Sequence, residues 1–217
     1  MIDAKRLLDE LVGSGVAGGL AGGLAGGTLA GLLSGKRGKK ARKLAGSAMK
    51  LGGVALVGGL AYKAWQSYQQ GQQPEAPTAI EPPPSGSAFL PALGDPQGNT
   101  ALSVLLARAM IAAAKADGQI DVQETQTILG QINGLALPSE DKAFLFEEYG
   151  RPLDIAGLAA TVRTPEQAAE VYTASTLMVD PPSPPERIYL DALASALGLD
   201  AALAGQIEAT VAASRAG

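Results

Sequence analysis

The chain has no cysteine and no histidine, so its chemistry must come from carboxylates, hydroxyls, lysine and tyrosine. Imidazole- or thiolate-based zinc sites and every nucleophilic triad with a histidine base are excluded. The carboxylates gather at two turns. In AKADGQIDVQETQTILGQI a helical run reaches Asp117, passes Asp121 and restarts with Glu124; in LMVDPPSPPERIYLDALASAL another reaches Asp180 and restarts with Glu186. Asp117 with Glu124 matches Asp180 with Glu186 after a one-residue shortening, which predicts two related helix–turn–helix halves. Paired carboxylates suit general acid–base work. No substrate-pocket signature accompanies them, so the expectation is a protein that is not an enzyme. Helix capping, with an acid favoured in the first turn and Gly118 supplying the bend, is the structural reading of the same residues.

The second chemical feature is cationic. Lys36, Arg37, Lys39, Lys40, Arg42 and Lys43 fall within KRGKKARK. Beside apolar segments such a run is held at the cytoplasmic face and attracts anionic lipid headgroups. It lacks interleaved aromatics, so nucleic acid is not expected as a partner. Residues 1–70 carry ten Lys/Arg against three acids, and residues 71–217 carry seven against eighteen, a division of +7 and −11. Two halves so charged face different partners.

Three segments must position these residues. Residues 1–68 form a Gly-rich membrane-associated segment that starts with a short amphipathic helix over 2–12. From Leu11 to Gly35 there is no charge, and Gly15, Gly19, Gly23, Gly27, Gly31 and Gly35 recur every fourth residue. That spacing gives a helix a smooth groove for close helix–helix packing, and hence a route to homo-oligomers in a membrane. A second apolar stretch, Leu44–Tyr62, is closed by Tyr62, Lys63, Trp65 and Tyr68, an aromatic and lysine belt of the interfacial kind. A glycine-zippered membrane hairpin is the favoured arrangement, with a single span plus an interfacial helix close behind. Two spans would put the acidic domain in the periplasm and one span in the cytoplasm. Residues 69–97, with prolines at 74, 77, 82, 83, 84, 91 and 96, are expected as an extended, disordered linker. Residues 98–217 read as about seven short helices, so the fold class is all-α.

KADGQIDVQE, residues 115–124, resembles the signature of TerB-like tellurite-resistance domains. Together with GKRGKKARKLAG, GGLAYKAW, LLARAMIAAAKADG and ERIYLDALASALGL, it makes nearly the whole chain similar to the YebE-like family of bacterial inner-membrane proteins of unknown function. The TerB resemblance implies a divalent cation, Ca²⁺ or Mg²⁺, held by Asp117, Asp121 and Glu124 in the first turn and by Asp180 and Glu186 in the second. Hard oxygen ligands suit those ions. Four prolines, at 181, 182, 184 and 185, depart from the pattern in the second turn. Two functions follow as expectations: a membrane-anchored interaction or scaffold protein whose acidic domain meets a protein partner, or a metal-binding sensor of envelope stress.

Overall fold

The structure is a computed structural model that describes residues 3–13, 53–71, 81–84, 86–89, 96–116, 138–179 and 182–216. Its described residues hold eight helices and no strand: α1 (Ala4–Gly13), α2 (Gly53–Gln69), α3 (Pro96–Ala114), α4 (Ser139–Gly150), α5 (Ile155–Ala160), α6 (Pro165–Met178), α7 (Pro184–Ala196) and α8 (Ala201–Ala216). The all-α expectation holds.

Local signals account for several helix ends. Thr164 Oγ1 accepts the N–H of Gln167 at 3.2 Å, and Pro165, which has no N–H to leave unpaired, occupies the first turn of α6. Asp154 caps α5 by accepting from Gly157 N at 2.8 Å. Gly198, at φ +64°, supplies the left-handed residue that ends α7 and its terminal turn. Asp200 then accepts from Ala202 N at 2.8 Å to start α8.

Helix α6 is the axis of the bundle. Every residue from Ala168 to Met178 is buried, and α3, α8, α2 and α7 all pack against it. A helix enclosed on all sides needs apolar or self-satisfied side chains. Thr173 and Thr176 meet that need by donating back to the carbonyls of Ala169 and Tyr172, at 2.7 and 2.9 Å. A second polar cluster ties three helices together: Ser175 Oγ lies 3.0 Å from Tyr189 Oη and 3.3 Å from the Ala109 carbonyl.

The N-terminal helices belong to this same core. Leu7 and Leu8 of α1 are buried, and α1 packs along α3 and α2. Helix α2 overlaps the stretch expected as the second leg of a membrane hairpin over residues 53–62 and continues to Gln69. Here its Leu56, Val57, Leu60, Ala61 and Ala64 are buried, and it packs against α8 and α6. Among the described residues no helix is long and apolar enough to cross a membrane. The zipper glycines from Gly15 to Gly35 and the basic run lie outside the described residues.

Part of the expected linker is also engaged. Phe89 is buried edge-on against Tyr62 and Trp65, with ring centroids 5.7 Å apart in each pair. Gly58 makes this approach possible. A Cβ there would lie 2.9 Å from the Phe89 carbonyl oxygen, 3.2 Å from Glu170 Oε1 and 3.3 Å from Pro83 Cγ.

Candidate functional site

Of the five acids that the sequence pairs at two turns, Asp117, Asp121, Glu124 and Asp180 lie outside the described residues. The same holds for Lys36, Arg37, Lys39, Lys40, Arg42 and Lys43. Glu186 is described, and it serves a helix start. It occupies the third position of α7, buried, and its Oε2 accepts the backbone N–H of Ser183 at 2.6 Å. That is the glutamate half of a capping box. Among the described residues no cluster of three acids could hold a metal ion.

A different constellation stands just before the first acidic turn. Arg108, Ile111, Ala112 and Lys115 follow the 3–4–7 spacing of one helix face, and they form one wall of a cleft of about 250 Å³. The turn from α4 to α5 forms the other wall, with Glu148, Arg151, Leu153, Asp154 and Leu158. Glu148 organises the cations, since its Oε1 accepts from Arg108 Nη2 and Arg151 Nη1, each at 2.9 Å. Arg151 Nη2 also reaches Glu147 Oε1 at 2.6 Å. The Arg108 guanidinium lies 5.8 Å from the Phe144 ring centroid, and its Nε is buried without an acceptor.

Lys115 is the most enclosed of these cations, with 8% of its surface exposed. Its Nζ donates to the backbone carbonyls of Arg151 and, at 3.3 Å, of Glu148, and it lies 5.8 Å from the Tyr149 ring centroid. Burial lowers its pKa, and the charge of Glu148 opposes that shift. The cleft thus combines three cations, two carboxylates and an apolar floor of Ile111, Leu153 and Leu158. Sequence reasoning passed over it, although Arg108 and Lys115 are the charges of a run that is otherwise uncharged from Pro96 to Ala116. Their separation by seven places both on one face.

Two further polar features lie away from the cleft. Arg187 clamps Glu208 with two hydrogen bonds, Nη1 to Oε2 at 2.7 Å and Nη2 to Oε1 at 2.8 Å, while Tyr172 Oη donates to Glu208 Oε1 at 2.5 Å. This joins α6, α7 and α8, and the Arg187 hydrogen bond lowers the Glu208 pKa. Glu170 is the opposite case. It is fully buried with neither oxygen partnered, and desolvation, reinforced by Glu166, drives its pKa well above the ordinary value. The acid is packed against Gly58 of α2.

A family model described as "Protein of unknown function (DUF533)" matches residues 18–211. No curated protein matches the chain. No solved structure matches it either.

Proposed function

The chain belongs to the DUF533 family, the YebE-like family that its motifs resemble, and because that family has no assigned function we propose one from this chain's own geometry. We propose a membrane-tethered, non-enzymatic interaction protein whose helical bundle sits against one face of a bacterial inner membrane.

One observation carries this reading: α1 and α2 meet. The N–H of Gly53 donates to Asp9 Oδ1, and a Cβ on Gly53 would lie 2.8 Å from the Leu8 carbonyl oxygen. The helices on either side of residues 14–52, the range that holds the zipper glycines and the whole basic run, therefore touch in the bundle. A hairpin built from Leu11–Gly35 and Leu44–Tyr62 would need α2 to leave the core. With α2 in place, the return leg after the basic run is only residues 44–52, a helical rise of about 14 Å. The hydrocarbon core is about 30 Å thick. The reading that fits both limits is a shallow insertion with Lys36–Lys43 returned to the headgroups on the bundle's own side. Positive-inside bias makes that side cytoplasmic.

The absence of cysteine allows a direct test. Gly38→Cys in the basic run and Ala192→Cys on the exposed face of α7 are each labelled with an impermeant maleimide, in right-side-out and in inverted membrane vesicles. Both positions are expected to react only in inverted vesicles. Labelling from opposite sides would overturn the topology, and a chain found wholly in the soluble fraction would overturn the tether.

A further inference from the structure

We propose that the cleft between α3 and the α4–α5 turn binds a protein partner through a single carboxylate flanked by an apolar side chain. This inference deepens the interaction half of the proposed function and is independent of its membrane half.

Charge is the first argument. Residues 71–217 carry seven cations against eighteen acids, yet Arg108, Lys115 and Arg151, three of the seven, line this one cleft. Against them stand Glu148 and Asp154 in the lining and Glu147 paired with Arg151, which leaves the cleft neutral on a domain that is otherwise strongly negative. It is therefore a place where an anion meets less repulsion than on the rest of the domain. A single carboxylate adds less negative charge there than a phosphate dianion, and a polyanion meets the surrounding acids.

Donor geometry is the second. Glu148 Oε1 holds the Arg108 and Arg151 guanidinium groups on one oxygen, so they stand side by side with donors left over. Lys115 Nζ meets two backbone carbonyls in the described structure, and a lysine ammonium has three N–H donors. Convergent, pre-positioned cationic donors of this kind recognise carboxylates. The third argument is the floor. Leu153 is 39% exposed beside Ile111 and Leu158, so an apolar group next to the carboxylate would remove hydrophobic surface from water. At about 250 Å³ the cleft takes one or two side chains, not an extended polymer.

The test uses the full chain in non-ionic detergent and three probes: N-acetyl-leucine, its neutral amide N-acetyl-leucinamide, and inorganic phosphate. Binding is followed by NMR of the Arg108, Lys115 and Arg151 side chains. The acid is expected to bind about tenfold more tightly than the amide and more tightly than phosphate, with Arg151→Gln removing about tenfold of that affinity. Equal binding of acid and amide, tighter binding of phosphate, or shifts confined to residues outside the cleft would overturn the proposal. Should Arg151→Gln disturb folding, the three-probe comparison on the unmodified chain decides alone. A chain that fails the vesicle labelling but discriminates acid from amide keeps this site, and one that labels as expected without discriminating loses only the site.

Discussion

Glu170 should make the bundle less stable as pH rises, and Glu170→Gln should abolish that trend. The carboxyl is fully buried, with Gly58 of α2 beside it, Glu166 a turn away on its own helix, and Pro83 and the Phe89 carbonyl over the same glycine. In the unfolded chain it titrates near 4.5; in the fold, desolvation and then Glu166 raise its pKa well above that. Below the unfolded value both states are protonated and the group exerts no pH effect. Above it the unfolded chain releases a proton that the fold retains, so the unfolded state binds fewer protons and unfolding becomes easier. The slope is about 1.4 kcal/mol per pH unit while Glu170 stays neutral in the fold. The loss relative to Glu170→Gln therefore grows as pH rises above about 4.5 and levels off once the folded carboxyl ionises, and it reads out as a falling urea midpoint. Glu208 acts in the other window. Its folded pKa is lowered, chiefly by the Arg187 hydrogen bond, so its contribution is present above the unfolded value and lost as pH falls through the folded one. Urea melts followed by circular dichroism, run on both proteins across this range, separate the two effects. If the difference between wild type and variant changes by less than about 0.5 kcal/mol from pH 5 to pH 7, the neutral-acid argument is wrong.

Substitutions at four other sites probe packing and capping. Gly58→Ala should cost about 1–3 kcal/mol, because the new methyl meets the Phe89 carbonyl at 2.9 Å. Gly205→Ala, on the exposed face of α8 with open space around it, should instead stabilise by about 0.5–1 kcal/mol in the same thermal melts. Glu186→Gln should be nearly neutral and Glu186→Ala should cost about 1 kcal/mol, since glutamine keeps the capping acceptor and alanine does not. A calcium- or magnesium-dependent loss in the glutamine variant would show that Glu186 is a ligand rather than a cap. Phe89→Ala should cost about 3 kcal/mol and shift the emission of Trp65, the sole tryptophan, to longer wavelength, because the ring that covers it is removed.

Four helix starts of the acidic half were legible because their causes are local. Ser139, Asp154, Thr164–Pro165 and Pro184 each mark a start within a residue or so of where α4, α5, α6 and α7 begin. The position of α2 was not legible, and the reason is physical. A helix that is apolar on nearly every side fits a protein core or a bilayer equally well. What decides between them is the far surface of α6 and α8, more than a hundred residues along the chain. The site was partly legible for the same reason in reverse. The 3–4–7 stripe from Arg108 to Lys115 is local and readable, but Glu148 and Arg151, which turn a stripe into a cleft, arrive from another helix.

Charge and packing therefore divide the chain at different places. By charge, α1 and α2 belong to the basic half; by burial, they belong to the acidic bundle, where Leu7, Leu8, Leu56 and Leu60 share one core with Leu106, Tyr172 and Ile207. This changes what the basic run can do. Strung on a free linker, it would let the bundle wander many tens of ångströms from the lipid. In the proposed tether, with a helix fixed in the core on either side of the run, the bundle would stay close to the surface that Lys36–Lys43 bind. The unpartnered Glu170 packs against Gly58, so a pH-sensitive contact also holds α2 in the core. The weakening predicted as pH rises above about 5 should therefore appear first in α2, as faster amide exchange at Leu56–Ala64 than at Leu106–Ala113, and uniform exchange across both helices would refute that link.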